Sequence, residues 1–235
     1  MPSQALIRQF KSRPEHVMRS HVVRWSGDAP EDSRIIRVAL LDSETSGNAR
    51  AEWKAGPLKV KVDAKRFELR WEGSRFNPPR AGSDLFSVYW SGFRASSGCS
   101  ILLPPSGGPD MMLTPEFSGC AAAFSKGPDG STLFSHYNLK DGSRTLDRPG
   151  MMAAATLEHG KGVFLLSKEQ MRQVGKRSML ETSPTAVLAT IVGTRNDRRW
   201  TFWVQYREID GDTQHIRSVE QMQNRSTGHL DVDSS

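Results

Sequence analysis

The side chains of this chain that could do covalent chemistry include two cysteines and six histidines. Cys99 lies among small and aliphatic residues, which is typical of a buried structural cysteine. Cys120 directly follows Ser118 and Gly119 and precedes the predicted strand segment AAAFS. Because glycine allows close backbone approach and leaves amide N–H groups free to face an oxyanion, this turn favours Cys120 as a nucleophile.

His136 is the histidine that a predicted hairpin brings to Cys120. If residues 126–130 (KGPDG) form a five-residue loop, the two side chains lie directly opposite on one face, with Cβ atoms roughly 4.5–5.5 Å apart. An imidazole there could take the thiol proton and leave a thiolate, the reactive form of cysteine. A two-residue turn at residues 128–129 would put the side chains on opposite faces, so both registers stay open.

A third side chain commonly orients the histidine of such a pair. Thr114 is one candidate, because its hydroxyl can accept a hydrogen bond from the imidazole and its loop leads towards the nucleophile. Asp129, Tyr137 and Asn138 are the alternatives, although the last two lie very close to His136 along the chain. A threonine before a proline is also common in turns with no catalytic role.

The run TPEFSGC at residues 114–120, followed by His136, resembles the Cys-His glutamine deamidases. This family includes the cytotoxic necrotizing factor catalytic domains, Burkholderia lethal factor and the CheD chemotaxis-receptor deamidases. The closest likeness is to lethal factor, whose segments resemble DMMLT, FSGCAAAF and AVLATIVGTRNDRRWTFWVQY in the same order. The resemblance covers residues 110–206, and Phe117 stands where these proteins usually have leucine.

The resemblance implies a mechanism and a set of site residues. Cys120 would attack the side-chain carboxamide of a protein glutamine, and His136 would receive the thiol proton and pass it to the departing ammonia. Water would then hydrolyse the thioester and leave glutamate. Backbone amides near Ser118 and Gly119 would hold the oxyanion, and Thr114 would orient the imidazole. This chemistry needs no cofactor and no metal.

The resemblance also implies a partner, which would be a folded host protein. Lethal factor suggests the translation-initiation helicase, and the necrotizing factors suggest a switch glutamine of Rho-family GTPases. We expect a monomeric bacterial toxin or effector without a membrane span. Charge returns at Arg8 before an apolar stretch could form, so no Sec-type signal is expected. Delivery into a host cytoplasm by a specialised secretion system and residence in the bacterial cytoplasm are both compatible with this.

Strand patterns outnumber helix patterns along the chain. Residues 58–63 and 67–71 alternate apolar with charged side chains, as strands with one wet face do. Similar segments predict strands at 34–41, 85–93, 99–103, 119–125, 131–139, 185–194 and 200–209, and a brief apolar segment, VFLL, lies at 163–166. Helices are predicted at the N-terminus, with a second one beginning near Pro14, after Asp147 as N-cap to about His159, and over 168–174.

These elements predict an α+β fold with a mixed, mainly antiparallel sheet or β-sandwich and helices packed around it. We expect a single catalytic domain over residues 1–211 with a loosely ordered N-terminal arm. Residues 212–235 contain few apolar side chains and are predicted to form a disordered tail.

Three other functions fit parts of the sequence. The net charge of +6, with Arg198 and Arg199 beside Trp200, would suit a basic aromatic module that binds nucleic acid or protein. A zinc site could be imagined from Cys99, Cys120, His136 and His159, but these residues lack the close ligand pairs of zinc sites. A papain-like protease or acyltransferase fits less well, because those enzymes place the histidine far downstream of the cysteine.

Overall fold

The computed structural model describes residues 4–26, 28–43, 49–55, 58–76, 78–79, 81, 83–143, 145–160, 164–166 and 186–222. Its helices are α1 (Gln4–Ser12), α2 (Pro14–Ser20) and α3 (Arg148–His159). The strands of the N-terminal half are β1 (His21–Trp25), β2 (Arg34–Ser43), β3 (Ala49–Ala55), β4 (Leu58–Asp63), β5 (Lys65–Trp71), β6 (Leu85–Trp90), β7 (Ser97–Leu103) and β8 (Met111–Leu113). Those of the C-terminal half are β9 (Ala121–Lys126), β10 (Thr132–Asn138), β11 (Phe164–Leu166), β12 (Ala186–Asn196), β13 (Arg199–Asp210) and β14 (Thr213–Met222).

The strands form two sheets. The main sheet has ten strands in the order β1-β5-β2-β6-β8-β12-β13-β14-β3-β4, and the small sheet has four strands in the order β11-β9-β10-β7. The small sheet is antiparallel, whereas the main sheet is mixed, since β1 with β5, β6 with β8 and β14 with β3 pair in parallel. None of the described helices is long and apolar enough to cross a membrane.

The layers follow from which side chains are buried together. On one face of the main sheet, Phe10 of α1 and Met18 of α2 join the core of that sheet. On its other face, Phe202 of β13 packs with Phe124 and Phe134 of the small sheet. A third cluster places α3 on the outer face of the small sheet. The small sheet is therefore covered on both faces, and its strands β9 and β10 carry the candidate site residues.

A β-rich α+β architecture with a mixed sheet is confirmed. The helix predicted to begin near Pro14 is α2, and the predicted N-cap of α3 is confirmed because the Asp147 carboxylate accepts a hydrogen bond from the Gly150 amide at 2.9 Å. The helix predicted over 168–174 and the first three residues of the N-terminal arm lie outside the described residues.

The prediction of a disordered tail over residues 212–235 is wrong for residues 213–222. Residues 213–222 form β14, which pairs with β13 along nearly its whole length. Its few apolar side chains, Ile216, Val219 and Met222, are all buried in the two core clusters that flank the main sheet. The segment is polar in composition, but its pairing with β13 stabilises it as a strand. Residues 223–235 lie outside the described part of the chain.

Candidate functional site

The hairpin of β9 and β10 sets the positions of the predicted catalytic pair. Its loop comprises residues 127–131, so that Lys126 pairs with Thr132 and His136 pairs with Ala122. The predicted pairing of Cys120 directly opposite His136 is therefore wrong by two residues. The loop closes where it does because the Gly127 amide donates to the Ser131 carbonyl at 2.9 Å.

The shift of two residues keeps both side chains on the same face. Continuing the register of the hairpin places Cys120 opposite Asn138 and diagonal to His136. Diagonal neighbours on one face of an antiparallel pair lie within about 7–8 Å, which is within reach of long side chains. The face in question points into the core between the two sheets, where Cys120 packs with Ala122 and Phe124.

Cys120 is a buried thiol in this structure. Its side chain is only 5% exposed, and Sγ donates a hydrogen bond to Oδ1 of Asn138 at 3.5 Å. Burial raises the pKa of the Cys120 thiol to about 11, because the charged thiolate is poorly solvated there. Cys120 is therefore a neutral thiol at neutral pH, and its nucleophilic form requires a base.

His136 is the most unusual polar side chain of the site. It is 1% exposed, and its ring lies 4.2 Å from the ring of Phe117 and 5.4 Å from that of Phe93, measured between centroids. Neither ring nitrogen has a hydrogen-bond partner among the described residues. Burial lowers the pKa of His136 to about 3, so the imidazole is neutral. Buried polar groups without partners are rare in native proteins and often mark functional sites.

The structure places a second thiol beside the same histidine. On the other side of β10, β7 pairs Cys99 directly with His136. Cys99 is also buried, its Sγ donates to the carbonyl of Glu31 at 3.5 Å, and burial raises its pKa. No local pattern indicates this neighbour, because the pairing of β7 with β10 depends on contacts between distant segments. His136 is thus flanked by both cysteines of the chain.

Thr114 does not orient His136 in this structure. Its Oγ1 atom donates to the Ile191 carbonyl and accepts from the Ile191 amide, both at 3.3 Å. These bonds attach the chain before the nucleophile to β12 of the main sheet. The Thr114 hydroxyl therefore binds the backbone of Ile191, where a hydrogen bond to the imidazole of His136 was expected.

The proposed oxyanion donors lie at the start of the turn before Cys120. Ser118 is exposed, whereas Gly119 is buried. Within the described part of the chain, no backbone hydrogen bond uses the amide of Ser118 or Gly119 as its donor.

The other predicted partners of His136 make different contacts. The phenol of Tyr137 donates to the Glu158 carboxylate at 2.5 Å on the opposite face of β10, and Asp129 accepts from Ser131 within the hairpin loop. Asn138 faces the site, but it contacts the thiol and not the imidazole.

The four residues of the imagined zinc site do not converge. His159 lies on the outer face of the small sheet, where Nδ1 is 2.8 Å from Ser125 Oγ and Nε2 is 2.8 Å from Ser135 Oγ. Cys120 and His136 lie on the inner face. Among the residues that the structure describes, no group of three or more histidine, cysteine or carboxylate side chains is arranged to hold a metal.

Trp90 and Trp200, two aromatic side chains considered for stacking on a nucleic acid, are buried. Trp200 is 4% exposed, and its Nε1 donates to the Pro104 carbonyl at 2.9 Å. Trp90 is fully buried and donates to the Pro30 carbonyl. Arg198 and Arg199 are exposed, but Trp200, the aromatic residue beside them, belongs to the core. This arrangement does not provide a platform on which bases could stack.

A cavity of about 580 Å³ lies apart from the cysteines and His136. The guanidinium of Arg195 borders it, and its donors are bound to the Asp110 carboxylate and to the carbonyls of Pro104, Gly107 and Gly108. Because these donors are in use, Arg195 holds the loop and does not offer a free anion site. The lining residues are Lys11, Ser12, Ile35, Ser87, Gly108, Pro109, Asp110, Met111, Arg195 and Asn196.

Comparisons with known proteins give a likeness of structure but none of sequence. No protein-family model matches the chain, and no curated protein matches its sequence. A solved structure of similar shape is the C-terminal domain of CNFy from Yersinia pseudotuberculosis, with a TM-score of 0.41 and 8% sequence identity. The match covers 91% of this chain and 95% of that chain. At this similarity the function of the chain has to be argued from its own residues.

Proposed function

We propose that this protein is a protein-glutamine deamidase that uses Cys120 as its nucleophile and His136 as its general base and acid. The observation that carries the proposal is the buried imidazole of His136, which has no hydrogen-bond partner among the described residues and shares a face with the Cys120 thiol. Leaving such a group without a hydrogen bond costs about 1–3 kcal/mol of stability. An apolar side chain could fill the same position without that cost. The choice of a glutamine carboxamide as substrate comes from the sequence resemblance of residues 114–120.

The reaction follows from the two neutral side chains. As Sγ of Cys120 forms a bond to the carboxamide carbon, the thiol proton passes to His136, and the carbonyl oxygen becomes an oxyanion. The C–N bond then breaks, and His136 returns the proton to the leaving ammonia. Water attacks the thioester, gives a proton to His136, and expels Cys120, which regains its proton. The products are glutamate and ammonia, and the enzyme is unchanged.

The free amides of the turn supply the remaining catalytic element. The N–H groups of Ser118 and Gly119 donate no backbone hydrogen bond within the described residues, so they can donate to the developing oxyanion. Such donors contribute most when they are fixed before the reaction begins. In this proposal Thr114 contributes by attaching the chain before the turn to β12, through its two hydrogen bonds with Ile191.

The pair has to rearrange before it reacts. Sγ of Cys120 is hydrogen bonded to Asn138, and the imidazole of His136 lies against Phe117. Catalytic hydrogen bonds are often formed only in the complex with substrate. Rotation of the two diagonal side chains would bring Sγ towards a ring nitrogen. Because both groups are buried, access of a protein glutamine also requires that the surface above them opens.

The experiment is a search for converted glutamines. Lysate proteins of eukaryotic cells are incubated with the wild-type protein, with Cys120→Ser and with Cys99→Ser, and peptides are analysed by mass spectrometry for glutamine-to-glutamate conversion. Purified translation-initiation helicase and Rho-family GTPases serve as candidate substrates. We expect conversion with the wild-type protein and with Cys99→Ser and none with Cys120→Ser.

Two outcomes would contradict the proposal. Conversion that survives in Cys120→Ser but is lost in Cys99→Ser would transfer the role of nucleophile to Cys99, the residue paired directly with His136. A complete absence of conversion at the candidate substrates and throughout the lysate would refute the deamidase function. Circular dichroism of each variant checks that the loss of activity is not a loss of folding.

A further inference from the structure

The chain before the nucleophile runs along the edge of β12 as an extension of β8. We call residues 114–117 the docking segment. At one end, the Thr114 side chain binds the backbone of Ile191, as described above. At the other end, Phe117 and Ala189 exchange two backbone hydrogen bonds of 2.8 and 2.9 Å. The docking segment is thus attached to the main sheet at both ends.

Between these ends, Glu116 of the docking segment forms an ion pair with Arg207 of the main sheet. The side chain of Arg207 on β13 is fully buried, and its Nη2 atom donates to Glu116 at 2.8 Å and to Thr190 Oγ1 at 2.9 Å. Its Nη1 atom donates to Gln214 at 2.7 Å. The Glu116 side chain is 29% exposed, so the pair joins the interior of the main sheet to the surface. A buried guanidinium that loses its carboxylate is left with an unpaired charge, which is strongly unfavourable.

The docking segment contacts His136 and leads directly into the turn that carries Cys120. Phe117 follows Glu116 directly, and its ring lies 4.2 Å from that of His136 with an interplanar angle of 32°. Cys120 comes three residues after Phe117, at the end of the turn. The position of the docking segment therefore determines both the backbone that carries the thiol and the surface against which the imidazole rests.

We propose that Arg207 is a positioning residue for the site, acting through Glu116 on the docking segment. The ion pair holds the segment on β12, and the segment in turn holds Cys120 and His136 in their relative positions. The catalytic meaning of this role rests on the proposed function, but the positioning itself is measured without a substrate. Arg207 does not contact the thiol or the imidazole in any hydrogen bond that the structure shows.

The experiment compares the two cysteines within one sample. Native protein is treated with iodoacetamide, and the alkylation of Cys120 and Cys99 is followed by peptide mass spectrometry. Glu116→Gln removes the charge at the partly exposed end of the pair and so preserves folding best. Arg207→Met removes the donors at the buried end, and Arg207→Lys keeps the charge but loses the forked geometry. Buried thiols are alkylated when the structure opens locally, so the rate reports the opening of the docking segment.

We expect the ratio of Cys120 to Cys99 alkylation to rise about tenfold in Glu116→Gln and at least as much in Arg207→Met, because bonds to charged groups are the stronger ones. Arg207→Lys should fall between these variants and the wild-type protein. Arg217→Met is the matched control, because it removes the ion pair of Arg217 with the buried Glu208 on the neighbouring strands. This control should leave the ratio unchanged even if it lowers stability.

A spectroscopic signature separates positioning from general loosening. The ring of Phe117 shifts the proton resonances of His136, so Glu116→Gln should move these resonances in NMR spectra, whereas Arg217→Met should not. If both the alkylation ratio and the resonances are unchanged in Glu116→Gln and Arg207→Met, the proposal is refuted. Once a substrate is known, the same variants should lower kcat with little change in KM. A changed ratio without any deamidation would refute the proposed function and leave the positioning role intact.

Discussion

Asn138 Oδ1 accepts a hydrogen bond from Cys120 Sγ at 3.5 Å, which makes an amide, and not the histidine, the residue opposite the proposed nucleophile. The bond favours the neutral thiol, because the proton that it uses is the one that ionisation removes. His136 is left two residues along β10, without a hydrogen bond to any described residue. In this state the thiol and the imidazole are both neutral and held by separate neighbours.

The titration of Cys120 should reflect this burial. With cysteine labelled at Cβ by ¹³C, the Cys120 resonance of the native Cys99→Ser variant is expected to stay unchanged between about pH 6 and pH 9, because the pKa of Cys120 is raised to about 11. In denaturant the same resonance should titrate near pH 8.5, the usual value for cysteine. A native midpoint near that usual value would show that the thiol is not buried as described.

The charge next to the thiol should control its reactivity. Asn138→Asp places a carboxylate beside Cys120, and because like charges oppose each other, the pKa of the thiol should rise further. We expect the alkylation of Cys120 at about pH 9 to slow by about tenfold, with Cys99 alkylation in the same sample as the internal reference. Asn138→Ser, which keeps a hydroxyl acceptor without a charge, is the control. Equal rates in Asn138→Asp and Asn138→Ser would disprove the contact.

His136 should make the protein sensitive to acid. Its pKa is lowered from 6.5 to about 3, so between these values the unfolded chain binds a proton that the folded chain does not. The free energy of unfolding should therefore fall by about 1.4 kcal/mol for each pH unit as the pH decreases through this range. Urea unfolding of His136→Leu should show a slope that is smaller by that amount. A slope in His136→Leu equal to that of the wild-type protein would contradict this burial of the imidazole.

At neutral pH, His136→Leu should leave the protein as stable as the wild type or more so. An apolar side chain of similar size between Phe117 and Phe93 removes two buried nitrogens that lack partners among the described residues. Replacing such groups by apolar ones leaves the stability unchanged or raises it, because the folded protein makes no hydrogen bond that offsets their desolvation. The free energy of unfolding at about pH 7 measures this. A loss of more than about 2 kcal/mol would mean that the imidazole has a structural role.

Gly193 should be intolerant of a side chain because its cross-strand neighbours in the main sheet fill the space beside it. A Cβ atom built there would lie 2.8 Å from Phe202 Cε1 and 3.2 Å from Met112 Cβ. Gly193→Ala should lower the free energy of unfolding by about 1–3 kcal/mol, which is the usual cost of overpacking. Gly142→Ala is the control, because no atom lies within 4 Å of its Cβ position. Equal urea midpoints for the two variants would contradict the packing of Phe202 and Met112 against Gly193.

The sequence predicted most elements whose periodicity is local. The alternation of residues 58–63 matches β4, and Asp147 caps α3 as expected. It missed β1, β3, β8 and β14; β14 is polar in composition, and β1 directly follows α2 without a turn signal. β14 pairs with the adjacent β13 and with the distant β3, and β1 pairs with the distant β5. The composition of a strand does not show which partners will bury its few apolar side chains.

The sequence by itself determined which residues are candidates: one cysteine after a glycine turn, one histidine on the following strand, and the chain that precedes them. It also limited the two side chains to one face or to opposite faces of a hairpin. The structure shows a third register, in which the loop closes at residues 127–131 and Cys120 lies diagonal to His136 on the same face. The placement of Cys99 opposite His136 and the reach of Arg207 to Glu116 depend on distant segments, whose pairing is fixed by packing and not by spacing.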